Sequence, residues 1–382
     1  MKMGNYKVPL TEPKPNIKRF LDYIKGNIQS GKPPLIEYIL DDYTIKKPVI
    51  KDLLGREWVD PKVIGEPLEG WIDLSRQNKD NVTRWVDNEI AFWQSMGYDF
   101  VFETLISMDF PSKSRITRDT GPGPRNRDRV WAETKEGMIS NWEDYEKYPW
   151  PQVEEDLFFI WEYISDNLPE GMGLIAAHGG GLLEILTKIL SYEGLCKKIF
   201  DDYKLVQEVA DKIGGLMERF YIRLLEIDNI AAIFPGDDMG YNMGTLISPE
   251  DIRRLVLPWH KRYSEMAHEK NILYFLHSCG DLNKIMEDLI DYVNIDGKHS
   301  FHDESSPVIE SKELYGSRIA LLGGADIDKL ARFEHDKLRK YVRNIIDFCS
   351  VKGRFAIGSG NSIPNYIPLE NYFIMIDEAL KY

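Results

Sequence analysis

Short apolar runs rich in β-branched residues alternate with longer amphipathic stretches along the whole chain. The runs Pro34 to Ile39, Asp99 to Thr104, Gly173 to Ala177, Asn229 to Phe234, Ile272 to Leu276, Val293 to Asp296, Arg318 to Leu322 and Phe355 to Ile357 predict eight strands. Between them, 3.6-residue periodicity predicts helices over Asn81 to Ser95, Glu184 to Ile199, Lys204 to Leu225, Pro249 to Glu269 and Lys337 to Phe348. Strands alternating with helices imply a parallel sheet, and eight of them imply an α/β (β/α)8 TIM-type barrel. A doubly wound open sheet is the alternative. The expected organisation is one barrel domain over residues 1–382, with residues 1–30 as an N-terminal helical extension. Ser248-Pro249-Glu250-Asp251 is a helix start: a capping hydroxyl, proline at the first helical position and acids in the first turn. Trp85, Ile90 and Trp93 share a helical face and are expected in the core. The stretches 111–129 and 141–151 read as loops that lengthen the C-terminal rim of the barrel.

Composition narrows the partners. The chain carries 48 basic and 62 acidic residues, a net charge of -14. It therefore lacks the broad cationic face that nucleic acid or an anionic membrane requires. Three cysteines, Cys196, Cys279 and Cys349, are too few for a disulfide framework and suggest a reducing compartment. With no signal-like leader and no apolar run of membrane-spanning length, a cytoplasmic location is expected.

In such a barrel the chemistry sits where strands run out into loops. The strand ends here offer Glu37, Glu103, His178-Gly179-Gly180-Gly181, Asp237-Asp238, His277-Ser278-Cys279-Gly280, Asp296 with His299, Gly323-Gly324 and Gly358-Ser359-Gly360-Asn361. His277 and Cys279 lie two apart, so in extended chain they point the same way and can grip one soft cation such as zinc. A third ligand would come from His299, Asp238 or Glu103. Cys196 and Cys349 read as structural thiols, His260 and His268 as packing or surface residues, and His335 as solvent-facing. Arg115, Arg118, Arg125, Arg127 and Arg129 cluster in one loop and can clamp carboxylates or phosphates, or simply pair with nearby acids. Gly179 to Gly181, with Gly179 and Gly180 as binding candidates, offer backbone amides at a helix start as an anion nest, or simply let the loop turn. No Walker loop, GxGxxG after a strand, HExxH or nucleophile elbow occurs.

The blocks Asp237-Asp238-Met239-Gly240, Ile247-Ser248-Pro249, His277-Ser278-Cys279-Gly280, Gly323-Gly324 and Gly358-Ser359-Gly360-Asn361-Ser362-Ile363-Pro364 together resemble the uroporphyrinogen decarboxylase superfamily. So does the early stretch 33–55. The resemblance implies a barrel, and either a tetrapyrrole decarboxylase or a corrinoid-linked methyltransferase. True decarboxylases carry arginines near the first strand. Here Glu37-Tyr38-Ile39-Leu40-Asp41-Asp42 stands instead, which favours the methyltransferase-like branch. Thiol-activating members of that branch hold zinc with His-x-Cys and a distant cysteine. His277 and Cys279 match the first two, and Asn361 stands where the distant cysteine would be.

The resulting expectation is a methyltransferase that moves a methyl group between a corrinoid carried on a partner protein and a small-molecule thiol or folate. Asp237, Asp238, Glu103 and His178 are the candidate catalytic groups. Arg115, Arg118, Gly179, Gly180, Ser359 and Asn361 are candidates for substrate binding, and His277, Cys279 and His299 for zinc. A decarboxylase acting on a tetrapyrrole and a barrel that binds a tetrapyrrole or corrinoid without catalysis are the alternatives.

Overall fold

The computed structural model describes residues 6–60, 79–104, 106–118 and 128–382. Its strands are β1 (Phe100–Glu103), β2 (Ser114–Arg118), β3 (Asp128–Ala132), β4 (Gly173–Ala176), β5 (Ile230–Ile233), β6 (Gly240–Tyr241), β7 (Gly244–Thr245), β8 (Leu273–His277), β9 (Gly297–His299), β10 (Ala320–Leu322) and β11 (Phe355–Ala356). Seven of them form one curled sheet in the order β1-β4-β5-β8-β9-β10-β11. Every pairing within it is parallel.

The first predicted strand supplies the eighth position. Residues 34–40 bridge β11 and the turn after it in parallel, Leu35 to Ile357 and Leu40 to Ile363. Ile36 N donates to the Ile357 carbonyl at 3.0 Å. Tyr38 then packs on Phe102 of β1 and on Phe234, with ring centroids 5.3 and 5.1 Å apart, so the two edges of the sheet meet inside the curl. The fold is a TIM-type α/β barrel, and helices cover the outside of the sheet as the alternating pattern requires.

The helices follow from apolar periodicity, with two departures. Leu182–Leu190 buries Leu182, Leu183, Ile185, Leu186, Ile189 and Leu190. Removing one such side chain, as in Leu186→Ala, costs about 2–5 kcal/mol. The expected single helix over Glu184 to Ile199 is instead two, because Ser191 adopts φ 60° and its hydroxyl caps a new helix, Tyr192–Asp201. Likewise Pro249 to Glu269 splits into Pro249–Leu255 and Leu257–Glu269. Pro258 has no N–H to continue the first ladder. Tyr203–Leu224 and His335–Cys349 form close to where they were expected.

The sixth strand sits later than predicted. Val293 and Ile295 are buried, but Val293 ends an irregular helix, Asp288–Val293, and Asn294 turns the chain in the left-handed region at φ 62° before Ile295. The ladder begins at Gly297. Both supposed loops are also partly ordered: β2 pairs antiparallel with β3, and Trp142–Lys147 is a short helix capped by Asn141. Among the described residues no helix is long and apolar enough to cross a membrane.

Candidate metal centre at the barrel mouth

Register builds the centre. β8 and β9 align His277 opposite His299 at their C-terminal ends. The Nδ1 atoms of the two rings face each other at 2.7 Å. His299 Nε2 lies 3.1 Å from the Ser359 carbonyl, which can only accept, so Nε2 carries the proton. Burial pushes the His299 pKa down to about 3, so the ring is neutral and its Nδ1 is a lone pair. His277 must then carry its proton on Nδ1. Burial, with His299 and Lys298 nearby, holds its pKa well below the usual histidine value. The chain of tautomers leaves His277 Nε2 as a free lone pair, fixed in plane by the Tyr38 ring stacked on it at 4.1 Å and 5°.

That lone pair faces Cys279 Sγ at 3.5 Å and Asp238 Oδ1 at 3.8 Å. Asp238 is aimed by its neighbours: Cys279 N donates to Oδ1 at 2.8 Å, and Asp238 N donates to Glu184 Oε1 at 3.2 Å. The three donor atoms all lie within 4.8 Å of one another. One sulfur, one imidazole nitrogen and one carboxylate oxygen suit zinc. Tetrahedral zinc, with bonds of about 2.3 Å to sulfur and about 2.0–2.1 Å to nitrogen, separates those two ligands by about 3.5 Å. This is the spacing of Cys279 and His277. Three protein ligands with one open position is the pattern of a catalytic rather than a structural zinc site. Burial, with Asp238 alongside, pushes the Cys279 thiol up to about 12, and a bound cation would reverse that. Asn361 Nδ2 and Ser300 Oγ reach the same sulfur at 3.2 and 3.7 Å.

Other candidates go elsewhere. His299 stands outside the triad, because both its nitrogens are engaged away from the sulfur; Asp238 is the third donor within reach of His277 and Cys279. His178 accepts from Met108 N with Nε2 at 2.9 Å and turns Nδ1 to the Gly180 carbonyl at 3.0 Å, so it braces the loop instead of offering a catalytic nitrogen. Burial lowers its pKa to about 4. Asp237 is fully buried, accepts from Leu183 N and Glu184 N at 3.1 Å each, and meets His260 Nε2 at 2.9 Å. The helix start expected to cradle a substrate anion is thus capped by the protein's own carboxylate. Gly181 is required there, since a Cβ would fall 2.2 Å from that of Asp237. The Gly179 amide is spent on the Ile106 carbonyl at 2.8 Å. Glu103 is buried and its charge bears on Lys46, which pairs with Glu89 at 2.7 Å.

Arg115 is exposed on β2. Arg118 and Arg129 lie in the same hairpin with their side chains outside the described residues, as are Arg125 and Arg127 altogether. Ser359 and Asn361 sit in the closing turn, against His299 and Cys279 respectively. Gly323, at φ 89°, lets β10 approach that turn; a Cβ would fall 2.1 Å from the Ser359 carbonyl.

Pattern reading passed over several residues. His260, where a packing or surface role is expected, is buried and links Asp237 Oδ2 at 2.9 Å to the Tyr274 hydroxyl at 2.7 Å. Glu184 lies beside Asp238, and burial together with Asp237 and Asp238 raises it to about 7. An acid three residues after the glycine run was the available signal. Lys298 and Ser300 flank His299, and no motif marks them.

The family model for uroporphyrinogen decarboxylase (URO-D) matches residues 133–382. No curated protein sequence matches the chain. Among solved structures, a methyltransferase from Methanosarcina mazei is similar at a TM-score of 0.68 and 16% identity, covering 96% of this chain and 99% of that one. A B12-independent methionine synthase from Shewanella sp. W3-18-1, in complex with selenomethionine, is similar at a TM-score of 0.43 and 12% identity, over 92% and 94% of the two chains. The match spans well over half of the sequence and includes Asp238, His277, Cys279 and Asn361: this chain belongs to the uroporphyrinogen decarboxylase family.

Proposed function

We propose that the protein is a methyltransferase that exchanges a methyl group between a corrinoid protein and a thiol or folate, using zinc held by Asp238, His277 and Cys279. The observation that carries this reading is the donor set: a sulfur, a neutral imidazole nitrogen and a carboxylate converge at the C-terminal mouth of the barrel. Zinc bound there would lower the pKa of a thiol taking the open position. The proton released has a nearby acceptor in Glu184, whose pKa near 7 suits proton transfer at neutral pH. The exposed Arg115 is available to carboxylates of a folate or corrinoid. A tetrapyrrole decarboxylase would need guanidinium groups at the first strand, where the buried Glu37 and Tyr38 stand.

The test is demethylation of methylcobalamin by zinc-loaded protein, followed by the loss of its methyl–cobalt absorbance, with 2-mercaptoethanol or tetrahydrofolate as acceptor. Turnover with either acceptor, lost in Cys279→Ala, is expected. Absence of transfer to both, with release of carbon dioxide from uroporphyrinogen, would replace this reading by the decarboxylase.

A further inference from the structure

Glu37 lies at the end of the first barrel segment with no solvent exposure. Its Oε1 accepts from Ser359 N at 2.8 Å, and its Oε2 meets Ser359 Oγ at 2.5 Å. The same hydroxyl also contacts the Asn361 carbonyl. A hydroxyl has one proton, and a carbonyl can only accept, so Ser359 Oγ–H goes to Asn361 O. The remaining contact then needs its proton from Glu37. A carboxylic acid in its neutral form satisfies every atom of this cluster, and a carboxylate does not. Burial agrees, pushing Glu37 up to about 8. Its titratable neighbours are Tyr98 and Tyr372, which are hydrogen-bonded to each other at 2.8 Å.

The turn that Glu37 holds makes two outer contacts to the proposed metal centre. The Ser359 carbonyl fixes the His299 proton, and Asn361 reaches the Cys279 sulfur. We propose that Glu37 is a positioning residue: as a neutral acid it locks the 359–361 turn, and through Ser359 and His299 it sets the tautomer that leaves His277 Nε2 free for a metal. The inference rests on the metal-centre reading above for its consequence, but not for the tautomer chain itself.

The test has two readouts. Zinc affinity is measured by competition with a chromogenic chelator, and the tautomers of His277 and His299 by 15N imidazole NMR of the zinc-free protein. Glu37→Gln keeps both an acceptor and a donor, and should match the wild type in tautomers and, within about threefold, in zinc affinity. Glu37→Ala should weaken zinc about 10–100-fold, the usual effect of losing support behind a ligand, and give mixed tautomers at both histidines. Ser359→Ala, which removes only the hydroxyl, should shift both readouts in the same direction. If Glu37→Ala does not fold, the comparison of Glu37→Gln with Ser359→Ala decides. Unchanged tautomers in Ser359→Ala, or a Glu37→Gln protein as impaired as Glu37→Ala, would overturn the proposal. If the wild type takes up no zinc, the metal reading fails, and the NMR comparison still decides the role of Glu37.

Discussion

Asn361 points its amide nitrogen at Cys279 Sγ from 3.2 Å, across 82 residues of sequence. It stands where the family resemblance would place a cysteine, and it donates a hydrogen bond to the sulfur. The proposed centre therefore has one sulfur donor, with Asp238 completing a mixed set beside His277.

Asn361→Cys places a second sulfur at that position. Zinc affinity in a chelator competition should rise at least about tenfold, because a soft thiolate replaces an amide nitrogen that offers no lone pair. An unchanged or weaker affinity would mean that the 361 side chain does not share the cation.

Adjacent aspartates should separate cleanly. Asp237→Ala strands His260 and two helix amides in the core, and should lower stability by about 3–5 kcal/mol in urea unfolding. Its folded fraction should still bind zinc within about threefold of wild type. Asp238→Ala should leave the unfolding midpoint nearly unchanged and lose most zinc affinity. The opposite pattern would reverse the two assignments.

Buried titratable groups give the stability curve a definite sign. His178 and His299 resist protonation down to about 4 and about 3, while histidines of the unfolded chain take up protons near 6.5. Their contribution is full above pH 6.5 and drains away as pH falls toward 4. Glu37 acts oppositely: raised from 4.5 to about 8, it contributes fully below 4.5 and loses that as pH rises to 8. Urea midpoints should therefore drop below pH 6 in the wild type. Between pH 5 and 8, the Glu37→Gln midpoint should gain on the wild type. Parallel curves over that range would contradict a neutral Glu37.

The barrel was legible in the sequence because its strands are apolar runs set between periodic helices, and seven of the eight fall where the runs lie. β9 escaped because its ladder residues Gly297, Lys298 and His299 are a polar strand, while the apolar Val293 and Ile295 before it end a helix and follow its C-terminal turn. Ser191 and Pro258 broke two helices that periodicity alone read as continuous. His277 and Cys279 were visible because extended chain puts residues two apart on one side. The third donor was not, since the choice among His299, Asp238 and Glu103 depends on which way each polar atom is already committed. The same blindness hid His260 and Glu184, whose partners come from segments distant in sequence.

The proposed methyl transfer depends on a metal held by Asp238, His277 and Cys279, and elemental analysis of protein purified without added zinc, beside Cys279→Ala, decides whether it is there. About one zinc per chain in the wild type and little in the variant is the predicted result. No metal in either protein, or equal metal in both, would mean that these residues do not hold it.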